Sequence, residues 1–282
     1  MKRWMVQLGA AIATNGYFKG FLDGKIYKGV SKSVCVPGLN CYSCPGALGS
    51  CPIGALQAVL GSMKYNFSYY VLGTLILYGT LLGRWICGWI CPFGMIQDFL
   101  GKLRKKKFRL PKVFNYIKYV ILIYFVILFP ILFTNVIGMG NPGFCKYICP
   151  SGTILGAFPL LIKNPGLRAA LGTLFSWKVG LLIFFLTMSV FFSRFFCRVV
   201  CPLGAIYGFF NKISLYRYKV NVSCSSCGIC SKSCKMGIKP YVEPNSMECI
   251  RCGECISACP SSSIERDKIF KTKGLGEKNE SF

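Results

Sequence analysis

The chain has 282 residues, 53% of them hydrophobic and 15% aromatic, with 34 Lys and Arg against 9 Asp and Glu, 18 Cys and no His. The missing imidazoles exclude bis-His haem, Rieske centres, His-bound zinc or copper, and every catalytic triad or general base built on His. A formal charge of +25 would also suit a nucleic-acid binder, but here the basic residues lie between apolar runs near the ~18 to 20 residues that span a bilayer, so the charge speaks for basic loops of a membrane protein.

In chain order, residues 4–22 follow Lys2 and Arg3 as a moderately apolar first span interrupted by Gln7, Asn15 and Lys19. No small-residue cleavage site marks it as a signal peptide. Residues 67–86, 116–133 and 174–196 are three further expected spans. Lys102, Arg104, Lys105, Lys106, Lys107, Arg109 and Lys112 form the densest basic run, which the positive-inside rule assigns to the cytoplasm. Four alternating spans then put both termini inside and residues 39–64 and 134–171 outside. From about Tyr218 the composition turns to Cys, Ser, Lys and Gly. The expected organisation is a membrane domain, 1–217, a small cytoplasmic domain, 218–265, and a polar tail, 266–282.

The cysteines carry the chemistry. Cys224, Cys227, Cys230 and Cys234 are spaced C-x2-C-x2-C-x3-C, and Cys249, Cys252, Cys255 and Cys259 repeat the run. This is the two-cluster bacterial ferredoxin pattern, in which the fourth Cys of each run ligates the other cluster. Cys224, Cys227, Cys230 and Cys259 are thus expected to hold one [4Fe-4S] cluster, and Cys249, Cys252, Cys255 and Cys234 the second. Paired C-x2-C elements also suit zinc, but two complete runs favour iron and sulfur. Lys235 stands where a proline usually follows the fourth Cys.

Three C-x3-C-P elements lie in the membrane domain: Cys87 to Pro92, Cys145 to Pro150 and Cys197 to Pro202. Cysteines four apart share one face of a helical turn, so each element offers two thiolates to a common centre. A wider C-P-x-G repeat begins at Cys51, Cys91, Cys149 and Cys201, and the membrane domain reads as a duplicated two-helix unit. Topology pairs Cys87 and Cys91 with Cys197 and Cys201 as an inner [4Fe-4S] site. An outer site is expected on Cys44, Cys51, Cys145 and Cys149. Cys35 and Cys41 remain, either as a disulfide or with one of them replacing Cys44. Disulfides without metal are the alternative for the whole outer group.

With these motifs on the page, the sequence resembles the NapH-type membrane polyferredoxins, a group related to NosR-type proteins and cytochrome oxidase accessory ferredoxins. The resemblance runs from about Phe67 to Ser263 and rests on the C-x3-C-P elements at Cys87 and Cys197, the spans and the double ferredoxin run. It implies electron transfer at the cytoplasmic membrane, from quinol or a cytoplasmic donor toward a partner reductase. The segment C-V-P-G-L-N-C-Y-S-C-P-G-A, Cys35 to Ala47, resembles a further subgroup of 4Fe-4S membrane proteins.

The expected fold is mostly α: a four-helix membrane bundle built from a duplicated unit, with a C-terminal α+β double-cluster ferredoxin domain. The expected function is single-electron relay between cytoplasmic ferredoxin clusters and membrane-domain clusters, across the membrane to an extracytoplasmic acceptor, as a component of an oxidoreductase system and not a stand-alone enzyme. Partners would be a cytoplasmic ferredoxin or flavoprotein, an extracytoplasmic redox protein, and quinone. A quinol dehydrogenase subunit is one alternative, with Asp98 the best membrane-side acid, although that residue also reads as a partner of the basic loop. A thiolate-based metal reductase or assembly factor is another, but the methionines are not clustered into a soft-metal path.

Overall fold

The computed structural model describes residues 3–62, 68–104, 107–108, 110–135 and 138–268. Most of the expected polar tail lies outside the described residues. Among the described residues the fold is mainly helical, with one two-stranded sheet at the C-terminal domain.

Among the described residues two helices are long and apolar enough to cross a membrane, Lys112–Leu132 and Thr173–Phe191, with mean hydropathy 1.9 each. Only 33% and 17% of their apolar windows are buried by the rest of the chain. Core helices of a soluble fold would be wrapped, so these bare faces fit lipid. Among the described residues the other two expected spans are shorter. The second is the helix Tyr69–Leu82, about 21 Å long against a ~30 Å hydrocarbon core, closed by Gly83 at φ 55°. The first breaks into Arg3–Thr14 and Phe18–Asp23. Its polar residues have partners inside the protein: Gln7 Nε2 donates to the Gly88 carbonyl at 3.0 Å, and Arg3 bonds Asp98 at 2.8 Å. That helix is fastened along the cysteine elements by its polar side.

The three C-x3-C-P elements share one local design. A single helical turn carries the first cysteine: Trp85–Trp89, Gly143–Tyr147 and Phe195–Val199. The second cysteine is extended, with Cys91 at φ −66°, ψ 119° and Cys201 at φ −67°, ψ 111°, and the following proline opens a new helix. Proline suits that position because it has no N–H to leave unpaired and its φ is already helical. Cys51 repeats the pattern before the Pro52–Gly61 helix.

The C-terminal domain is closed by β1, Tyr216–Val220, paired antiparallel with β2, Ile264–Lys268, in the register Tyr216 to Lys268 through Val220 to Ile264. Two one-turn helices, Ile229–Lys232 and Glu254–Ser257, carry Cys230 and Cys255. The domain is keyed into the membrane domain by polar contacts. Arg84 donates to the Met247 carbonyl and to Glu248, Asn211 Nδ2 donates to the Ser246 and Cys249 carbonyls, and Arg251 donates to the Leu82 and Asn211 carbonyls.

Candidate iron-sulfur centres

The structure gathers the ferredoxin-run thiols in two groups. Cys224, Cys227, Cys230 and Cys259 line one small chamber, closed by Tyr241 and Ile264. Cys249, Cys252, Cys255 and Cys234 lie within electrostatic reach of one another. Burial pushes the free Cys255 thiol up to about 12 and Cys249 up to about 11, so metal must displace their protons. Lys235 bonds Glu254 at 2.5 Å and lies 4.0 Å from Asp98, which ties the first run to the second and to the membrane domain.

In the membrane domain, Cys87, Cys91, Cys197 and Cys201 come together with 6% exposure each. Around them the chain is arranged with local two-fold symmetry. Arg84 Nη2 donates to the Cys197 carbonyl at 3.1 Å, and Arg194 Nη1 donates to the Cys87 carbonyl at 2.7 Å. Each arginine stands three residues before the first cysteine of its own half and bonds the carbonyl of the corresponding cysteine in the other half. The glycines of the C-P-x-G elements make room for this exchange. A Cβ at Gly94 would stand 3.0 Å from the Cys87 carbonyl, and one at Gly204 would stand 3.2 Å from Arg84 Nη2.

Both arginines are buried and carboxylate-paired. Arg84 and Lys118 bond Glu248; Arg194, at 2.6 Å, and Arg3, at 2.8 Å, bond Asp98. Burial works against the charge on Asp98, but Arg194, Arg3 and Lys235 outweigh it and hold the carboxyl down at about 2. Glu248 is held below its ordinary range in the same way by Arg84 and Lys118. Arg84 and Lys118 with Glu248 leave a single positive charge, and so do Arg194, Arg3 and Lys235 with Asp98 and Glu254. Two such charges suit a tetrathiolate [4Fe-4S] centre of about −2.

A second membrane-domain set contains Cys51, Cys145, Cys149 and Cys41. Cys51 is within electrostatic reach of Cys149 and Cys41, and Cys145 of Cys149, Cys51 and Cys41. Cys44, expected there from the sequence, is fully buried beside Cys41 and Lys32. Every cysteine is a free thiol, so Cys35 and Cys41 are not joined; the Cys35 backbone is bonded instead by the Tyr70 and Tyr78 hydroxyls. Among the described residues no three Cys, Asp or Glu side chains converge tightly enough for a single metal ion.

The sequence reading missed two glutamines. Gln97 Nε2 donates to Cys197 Sγ at 3.0 Å while its Oε1 accepts from the Phe196 N–H at 3.1 Å. Gln57 does the same to Cys145 Sγ at 3.2 Å and the Phe144 N–H at 3.0 Å. A C-P-x-G-x2-Q repeat at Cys51 and Cys91 was the available signal.

Between the C-terminal domain and the basic loop lies a cleft of about 1510 Å³. Lys102, Arg104, Lys107 and Lys112 line one side, Lys232, Lys235 and Lys239 the other, and Cys234 reaches its wall.

A family model described as a 4Fe-4S binding domain matches residues 67–111, 121–164 and 173–222, one copy over each C-x3-C-P element, and a second 4Fe-4S binding domain model matches 242–265. The uncharacterized protein MJ0750 of Methanocaldococcus jannaschii is 32% identical over 207 residues, 72% of this chain and 79% of that protein. The putative electron transport protein YccM of Escherichia coli is 26% identical over 68% of this chain and 53% of its own length. The ferredoxin-type protein NapH of Haemophilus influenzae is 27% identical over 70% of this chain and 64% of its own. No solved structure matches. The fold and its thiol groups define a 4Fe-4S protein of electron transport. The chain belongs to the NapH-type 4Fe-4S polyferredoxin family.

Proposed function

We propose that the chain relays single electrons between cytoplasmic ferredoxin-type centres and the membrane-domain centres, and onward across the membrane to an extracytoplasmic acceptor. A [4Fe-4S] cluster, when bound, supplies a one-electron couple whose potential depends on net charge, exposure and hydrogen bonds to its sulfurs. The chain's own residues would do the rest.

The observation that carries this reading is continuity. Trp89, between Cys87 and Cys91, donates its indole N–H to the carbonyl of Arg251, between Cys249 and Cys252, at 3.0 Å. A Cβ at Gly88 would stand 2.3 Å from the Ile250 carbonyl, so glycine lets the two cysteine loops touch. On the other side, Tyr207 is within electrostatic reach of Cys87 and Cys91 and also of Cys51, and its hydroxyl donates to the Pro37 carbonyl at 3.0 Å. The same loop brings Gly38 against Cys91, with a Cβ there 3.3 Å from the Cys91 Cα, and three residues later supplies Cys41 to the second set. Thiol groups are thus neighbours in series from the C-terminal domain to the second set.

The basic cleft is the docking place for the cytoplasmic partner in this reading. Its lysines would attract an acidic carrier, and Cys234 in its wall would bring a centre close to that carrier. Asp98, salt-bridged to two arginines, serves here as a counter-ion and not as a proton acceptor for quinol.

Metal and sulfide analysis of anaerobically purified protein tests the proposal, together with visible absorbance through one cycle of reduction and re-oxidation. Iron with equimolar labile sulfide, and absorbance that bleaches and returns, is the expected outcome. Zinc in place of iron, or absorbance unchanged by reductant, would overturn it.

A further inference from the structure

We infer that Cys41, Cys51, Cys145 and Cys149 form a fourth [4Fe-4S] chamber that copies the one at Cys87, Cys91, Cys197 and Cys201, with Gln57 as the amide donor to a ligand sulfur that Gln97 is in the first chamber. The inference rests on the iron-sulfur reading above and adds a ligand set and two positioning residues to it.

The two glutamines carry the correspondence. Cys51 to Cys91 and Gln57 to Gln97 are the same forty-residue step. Phe144, Cys145 and Cys149 map onto Phe196, Cys197 and Cys201 with one further common step. Each glutamine lies buried in the helix that follows its own C-P element, crosses to the partner element, accepts the phenylalanine N–H and donates to the neighbouring cysteine sulfur. One such bond is ordinary packing. The same four-atom pattern at both sets is a shared design for holding a sulfur in place.

The copy lacks one sulfur. The position corresponding to Cys87 is Ala47, fully buried. Cys41 supplies the missing thiol from the preceding loop: a Cβ at Gly152 would stand 3.7 Å from its Sγ, and one at Gly156 3.4 Å. Cys41 therefore lies against the Cys149-Pro150-Ser151-Gly152 turn.

Charge gives a second, independent indication. Lys32 is 4% exposed, and its Nζ has no hydrogen-bond partner among the described residues, lying over the Tyr42 ring at 4.8 Å. Its charge reaches Cys41 and Cys44. Lys178 Nζ contacts the Cys145 carbonyl at 3.4 Å and is within electrostatic reach of Cys41 and Cys149. A buried, unpaired ammonium is costly unless an anion offsets it. A tetrathiolate centre of about −2 charge beside two lysines provides that anion, as the first chamber's centre would beside its two arginine groups.

A hydrogen bond to a ligand sulfur stabilises the reduced, more negative centre and so raises its potential. The test uses full-length protein purified anaerobically in detergent, with iron and sulfide counts and an EPR-monitored redox titration. Wild type is expected to hold about 16 iron atoms, Cys41→Ser and Cys145→Ser about 12, and Cys44→Ser about 16. Gln57→Leu and Gln97→Leu are expected to keep the iron and to lower one midpoint each, a different one in the two variants. The glutamine variants leave all ligands in place, so they remain informative if Cys41→Ser misfolds. Wild type with about 12 iron atoms, loss of a centre in Cys44→Ser but not in Cys41→Ser, or unmoved midpoints in Gln57→Leu would overturn the assignment. Protein without iron-sulfur centres would instead sink the underlying functional reading.

Discussion

Trp89 Nε1 bonds the Arg251 carbonyl at 3.0 Å, and with Gly88 packed on Ile250 this contact rests the segment between two membrane-domain cysteines on the loop between two ferredoxin-run cysteines. The salt bridge of Arg84 with Glu248, at 2.8 Å, reinforces the same junction, with Lys118 on the other carboxylate oxygen. Both cations are fully buried.

Glu248→Gln should therefore loosen the domain junction. Removing one partner of a buried pair strands the other charges and costs about 3–5 kcal/mol. A lower melting midpoint is expected, with slower electron equilibration between the C-terminal centres and the membrane domain, measurable by differential scanning fluorimetry and freeze-quench EPR. An unchanged midpoint and rate would show that the junction does not depend on this pair.

Asp98→Asn should destabilise by a similar amount, because Arg194 and Arg3 lose their counter-charge. The carboxyl is held at about 2, below its ordinary 3.8. A depressed carboxylate contributes stability that is fully present above the ordinary value and is lost as pH falls through the folded one. The difference in melting midpoint between wild type and variant should consequently stay constant from pH 8 to about 5. A difference that shrinks over that range would contradict the depressed carboxylate.

Much of this was legible in the sequence, and the limits have physical causes. The ferredoxin runs and C-x3-C-P elements are short-range patterns, so spacing alone grouped Cys87 with Cys91 and Cys224 with Cys227. The contact of Lys118 with Glu248 joins residues far apart in the chain and leaves no periodic trace, whereas Gln57 and Arg84 each recur in a repeat whose contacts spacing alone does not reveal. Hydropathy likewise counted residues 4–22 as a span and could not show that Gln7 bonds Gly88 within the Cys87 element or that the preceding Arg3 bonds Asp98 in the helix after it. Cys44 was reached by nearness in sequence; the approach of Cys41 to Gly152 and Gly156, on which the proposed choice of Cys41 rests, is a long-range contact that spacing does not show.

Gly88→Ala should separate the two cysteine loops, since its Cβ would meet the Ile250 carbonyl at 2.3 Å. The backbone of one loop must shift. Slower electron exchange with all iron retained is the expected outcome, and an unchanged rate would mean that the loops need not touch.

Lys112→Glu, Lys232→Glu and Lys239→Glu combined should slow reduction by an acidic flavodoxin-type carrier roughly tenfold or more at low salt, with the gap narrowing as salt rises. Stopped-flow absorbance would report both. Equal rates for wild type and variant would place docking elsewhere.

Passage of electrons across the bilayer is the central claim, and it has a direct measurement. The chain is reconstituted in liposomes enclosing ferricyanide, and reduced flavodoxin is added outside. Bleaching of the trapped ferricyanide faster than in empty liposomes, with the excess lost in Cys145→Ser and Cys149→Ser, is the predicted result. Wild-type liposomes no faster than empty ones, or variants as fast as wild type, would contradict the transmembrane relay.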